Sequence, residues 1–152
     1  MVRAAALDAV ALLPGAEAVL RSGLQDRRHV VRAAAMRGIR RAKLRAAWPL
    51  VLARLTSDKE WPDVTSEAVG YVRELCVHDG AEALLALVQR GAKPNAWEPD
   101  VGLALEALDA LGALGGDEAE QARAIASSPL APAGFRETAR RSKAVAPACQ
   151  AH

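Results

Sequence analysis

One segment recurs along this chain, and the recurrence decides the architecture before any single helix is considered. VRAAALDAVALL at 2–13 returns as VRAAAMRGIRRA at 31–42, then as VTSEAVGYVREL at 64–75, DVGLALEALDAL at 100–111 and FRETARRSKA at 135–144. Centred on the small residues Ala6, Ala35, Ala68, Ala104 and Ala139, the copies lie 29, 33, 36 and 35 residues apart. A second element fills the gaps: GAEAVLRSGLQD at 15–26, KLRAAWPLVLARLTSD at 43–58, GAEALLALVQRG at 80–91 and GDEAEQARAIAS at 116–127. Both kinds place apolar residues three and four apart, the spacing of one helix face. Two helices therefore alternate, and about nine are expected in an all-α fold.

Composition agrees with that reading. Alanine occurs 35 times, hydrophobic residues make up 51% of the chain and aromatics only 3%, which suits helices and starves a β-sandwich of its usual formers. Half the residues being apolar argues against disorder, and no stretch approaches the roughly 20 uncharged apolar residues that a membrane crossing needs. The opening 18 residues look superficially like a secretory signal, with Arg3, an apolar run and Ala16-Glu17-Ala18. Asp8 interrupts that run and residues 2–13 belong to the repeat, so the segment is read as structure and the protein as cytoplasmic. Cys76 and Cys149 are too few for a disulfide framework and are expected to stay unpaired. Residues 1–144 read as one repeat domain, and 145–152, where the period is lost, as a mobile tail.

The arrangement resembles HEAT repeats, and more narrowly the short bacterial HEAT-like repeats. The unit that carries the resemblance is Asp26-Arg-Arg-His-Val-Val31-Arg32-Ala-Ala-Ala35, similar to the family's turn Asp followed six residues later by the Arg of the second helix. Trp48-Pro49-Leu50 falls where the family kinks the first helix of a pair. Thr65 and Val101 stand where the third and fourth units would carry that Arg, so only the second unit has the full pattern. The resemblance implies a right-handed α-solenoid of helix pairs, with the second helices lining a concave face and an Asp-to-Arg ladder between neighbouring repeats. It also implies that the flank of residues 2–13 lacks a preceding helix. Its apolar side is then expected to meet another copy of the chain, as a homodimer, or to lie inside a longer array.

Charge is distributed unevenly. Residues 1–57 hold 11 Lys/Arg against 3 Asp/Glu, residues 58–131 hold 5 against 14, and residues 132–152 hold 4 against 1. On a helical wheel of 29–42, Val31, Ala34, Ala35, Gly38, Ile39 and Ala42 form an apolar arc, with His29, Met36 and Arg40 opposite and Arg32 and Arg37 on the shoulders. The Arg40 position returns as Arg73 one repeat later. His29, Arg32, Met36, Arg37, Arg40 and Arg73 are the candidate partner-binding residues, a mixed apolar and basic row suited to a peptide or helix.

No grouping reads as catalytic. Cys76-Val-His78-Asp79 offers a thiol, an imidazole and a carboxylate, but Cys76 and His78 are two apart and would diverge on a helix, so a helix end capped by Asp79 is the plainer reading. Cys149 and His152 supply two possible metal ligands where zinc takes at least three. The HEAT-like iron enzymes use His-Glu dipeptides, and this chain has none. Trp61 and Trp97, in equivalent linkers 36 residues apart, are read as staples of the turns, and Trp48 as a buried core residue. No catalytic residue, cofactor or metal is assigned. The expected function is a non-enzymatic protein-interaction scaffold, with nucleic-acid binding through the basic first half, or a subunit related to the bilin lyases, as the alternatives.

Overall fold

The computed structural model describes residues 2–150. Nine α-helices and two short 3-10 turns, and no strand, occur among them. The helices are α1 (Val2–Val10), α2 (Ala16–Gly23), α3 (His29–Arg41), α4 (Trp48–Leu55), α5 (Pro62–Glu74), α6 (Ala81–Gly91), α7 (Glu98–Leu114), α8 (Asp117–Ala126) and α9 (Phe135–Ala144). None is long and apolar enough to cross a membrane.

The period seen in the sequence is repeated in backbone geometry. Helices α3 and α5 are each 13 residues long and begin 33 residues apart. Each is followed by a residue in the left-handed region, Lys43 and Cys76 (both φ 52°), and then by a 3-10 turn, Arg45–Ala47 and His78–Gly80, that feeds the next helix. The residues before α5 and α7, Trp61 and Trp97, are extended, and Pro62 and Pro99 occupy the first turns, where a missing N–H costs nothing.

The chain forms two compact units that divide between Leu75 and Cys76. In the first, α1, α3 and α5 lie side by side, α2 packs on α1 and α3, and α4 packs on α5. Helix α3 is thus enclosed on several sides, and Val31 to Met36, Gly38 and Ile39 are all buried. In the second unit α6 lies along α7, α8 touches both of these, and α9 packs on α7 and α8. Helices α6 and α7 approach so closely at Gly91 that a β-carbon there would come within 2.2 Å of the Asp100 carbonyl oxygen and 2.4 Å of the Ala104 β-carbon. Only glycine fits that crossing.

Three expectations are corrected here. The cysteines are paired: Cys76 and Cys149 form a disulfide with their Cα atoms 5.5 Å apart, although 73 residues separate them in sequence. Residues 145–150 do lack the helical period, but the Cys149 N–H donates to the Ala113 carbonyl at 2.9 Å and its side chain is buried, which brings the segment back onto the end of α7. Trp48 is half-buried rather than core. One face of its indole stacks on Tyr71 at a centroid distance of 6.3 Å, and Tyr71 is fully buried with its hydroxyl donating to the Leu44 carbonyl at 2.8 Å. The helical phase is right, but part of the side chain stays open to solvent. Trp48→Ala is accordingly expected to cost about 2 kcal/mol, less than the roughly 3 to 5 of emptying an enclosed aromatic site. Chemical denaturation measures it, and a loss within that higher range would show the ring to be enclosed.

Candidate functional site

The six candidate residues are carried by α3 and by the last turn of α5, all within the first unit. They separate into a buried pair, an ionic row, a capped imidazole and one arginine at a helix end.

Met36 is fully buried, in α3 between α1 and α5, and so lines no surface that a partner can reach. Arg32 is also withdrawn. Its guanidinium donates from Nε to Glu60 Oε2 at 3.0 Å and from Nη2 to Glu60 Oε1 at 2.6 Å, while Nη1 donates to the Asp26 carbonyl at 2.7 Å. The Glu60 side chain is 1% exposed and also accepts the Trp61 backbone N–H at 2.9 Å. Burial alone pushes the Glu60 carboxyl up; the Arg32 hydrogen bonds, the Trp61 N–H and Arg54 outweigh it and hold the group below its ordinary value. Arg32 is a strut between two turns rather than a binding group. The wheel missed this because it shows direction but not what lies one repeat away.

Arg3 occupies the position in α1 that Arg32 occupies in α3, and it makes the corresponding contact. Its Nη1 lies 2.9 Å from Asp26 Oδ2, in the turn that precedes α3 as Glu60 precedes α5. A ladder of basic residue to the next acidic turn therefore has two rungs in the first unit. It differs from the expected one in that the Asp26 carboxylate meets Arg3 and Arg28, and Arg32 takes only the Asp26 main-chain oxygen. Thr65 replaces the third arginine and bonds instead to the Trp61 carbonyl at 3.3 Å.

The Asp26 carboxyl is a stronger acid than an ordinary aspartate. The Arg28 backbone N–H, then the Arg28 side chain and then Arg3 hold its carboxyl down to about 2, from 3.8. A folded value below the unfolded one means that its contribution to stability is complete above about pH 4 and is lost as the pH falls through 2. Asp26→Asn is expected to flatten the acid-unfolding curve between those limits. Superimposable curves for variant and wild type there would refute the assignment.

Arg37 and Arg40 form a continuous ionic row across three helices. From α3, Arg37 reaches back to Asp8 of α1 with two bonds of 2.9 Å and forward to Glu67 of α5 at 3.2 Å. Arg40 shares Glu67 at 2.9 Å and approaches Glu74 at 3.6 Å. The Arg37 hydrogen bonds are the main cause that holds the Asp8 carboxyl below its ordinary value. At the α5 position equivalent to Arg37 the chain has Gly70, where a β-carbon would come 2.3 Å from Arg40 Nη1, so the guanidinium lies directly over the α5 backbone. The row is partly open to solvent, most at Glu74. Arg73, next to it, is exposed at the end of α5.

His29 begins α3. Its ring stacks on Trp61 at 4.2 Å with 13° between planes, and Nδ1 lies 2.9 Å from Asp63 Oδ2. Trp61 remains 56% exposed, a staple covered on one side only.

The residues that sequence reasoning missed are acidic: Asp8, Glu60, Asp63, Glu67 and Glu74. The signal for them was present, since Arg37 and Glu67, Arg40 and Glu67, and Arg32 and Glu60 are each separated by about one repeat. Among the described residues no group of three His, Cys, Asp or Glu is placed to hold a metal ion. The pair Cys149 and His152 falls partly outside them, since His152 is not described. Compared with family models, with curated proteins and with solved structures, the chain matches none.

Proposed function

We propose that the chain is a non-enzymatic protein-interaction module, built of HEAT-like helix pairs stacked as a right-handed solenoid, that recognises a partner protein across α1, α3 and α5. The observation that carries the reading is the ionic row from Asp8 through Arg37, Glu67 and Arg40 to Glu74. Its members hold one another in place, so donors and acceptors are presented to a partner at fixed positions and little side-chain entropy remains to be lost on binding. Alternating signs favour a partner surface of mixed charge over a uniformly anionic polymer.

The test is affinity capture from the native host by the whole protein and by an Arg37→Gln/Arg40→Gln variant whose helical circular dichroism is unchanged. Proteins retained by the wild type and lost from the variant support the reading, and identical retention by both removes it.

Nucleic-acid binding stands second because of one feature. Arg41, at the last turn of α3, and Lys43 and Arg45 just beyond it are exposed and enter none of the ion pairs described. A salt-dependent gel shift that disappears on replacing these three with alanine would place that reading first.

A further inference from the structure

The first unit carries a second surface, separate from the ionic row. Helix α1 presents Arg3, Ala6, Leu7 and Val10, α2 presents Ala18, Val19 and Ser22, and the turn after α2 adds Asp26; the two helices face each other across an open groove of about 450 Å³. Each stripe steps by three or four residues, as one side of a helix does. Leu7 and Val31 are buried and make the floor, while Val19 is 51% exposed on the wall and Val2, one turn before Ala6, is 85% exposed. Uncovered aliphatic surface of this kind, between two helices, is the complement of a third helix laid in the groove between them.

Charge says what kind of helix fits. Asp26 lines one end of the groove; two arginines hold its carboxylate, and a third, Arg27, follows it in the chain. Arg3 Nη1 lies 2.9 Å from Oδ2, Arg28 Nε 3.2 Å from Oδ1, and Arg27, adjacent and exposed, enters none of the ion pairs described. The end therefore carries a net positive charge, whereas the rest of the groove, from Ala6 and Val19 to Val10, is apolar apart from Ser22. From Arg3 to Val10 the wall is about two helical turns long, roughly 10 Å. That length takes three apolar side chains at i, i+3 or i+4, and i+7.

We propose that this groove is the docking site for a short amphipathic helix of another protein, with an aliphatic face toward Ala6, Val10 and Val19 and an acidic residue at the end that meets Arg27 and Arg28.

The test uses a displayed library of random peptides of about 14 residues, long enough to form a helix on binding, selected on the whole protein and counter-selected on Val19→Glu. Val19 is a surface residue, so the variant is expected to fold, and circular dichroism checks that it does. The expected result is enrichment on the wild type of peptides with three apolar residues at helical spacing and Asp or Glu at one end. A synthetic copy of the best of them should lose about tenfold or more in affinity to Val19→Glu and about threefold to Arg27→Ala. Lys93→Ala, an exposed change in the second unit, should leave this affinity unchanged, and the peptide readout does not depend on the partner capture proposed above. Enrichment that survives Val19→Glu, peptides with basic ends, or no enrichment would overturn the proposal. So would a concentration-dependent dimer abolished by Val19→Glu, which would assign the groove to a second copy.

Discussion

Glu60→Ala is expected to destabilise the protein by about 3 to 5 kcal/mol, the usual cost of leaving one partner of a buried ion pair uncompensated. That is a large share of the roughly 5 to 15 kcal/mol that keeps a domain folded. The size follows from what the carboxylate holds. With Glu60 removed, the Arg32 guanidinium, whose side chain is 11% exposed, keeps only the Asp26 carbonyl, Arg54 loses its contact, and the Trp61 N–H at the start of α5 has no acceptor. Urea denaturation of the variant measures the loss. The double variant Arg32→Met/Glu60→Leu is expected to recover most of it, because an apolar pair of similar volume carries no desolvation penalty. A double variant as unstable as Glu60→Ala would show that the bonds themselves, rather than the stranded charge, set the cost.

The second large effect belongs to the disulfide. Closing a loop between residues 73 apart removes enough freedom from the unfolded chain to stabilise the fold by about 4 kcal/mol. Reduction, or Cys149→Ser, is expected to lower the melting temperature of the second unit by about 15 °C or more, given its size. Non-reducing mass measurement should find the native chain two hydrogens lighter than the reduced one. Equal melting temperatures with and without reductant would remove the bond from the stability of the protein. Disulfides form and persist in oxidising surroundings.

The legible part of this molecule was the part written locally. Nine helices could be placed because amphipathic spacing, Pro62 and Pro99 at helix starts, and the recurring small residues all act within one or two turns of chain. The wheel of α3 also identified its apolar arc. It failed at Met36 and Arg32, which lie outside that arc yet are buried, because enclosure is decided by α1, α2 and α5 and not by α3 alone. Arg37 and Arg40 were recognised as basic but not as spoken for, since their carboxylates stand on other helices. Cys76 and Cys149 show the limit most plainly: nothing near either residue announces a contact made 73 residues away.

That bond also decides how the molecule answers a mechanical pull. Tension carried along the backbone into Cys76 leaves through sulfur to Cys149 and bypasses everything between them. The intervening chain, about 250 Å if drawn out straight, is then withheld from extension for as long as the bond lasts. Stretched between attachments on either side of the bridge, the oxidised protein would yield only through its first 75 residues, and a reductant would release the remainder as a second, separate lengthening.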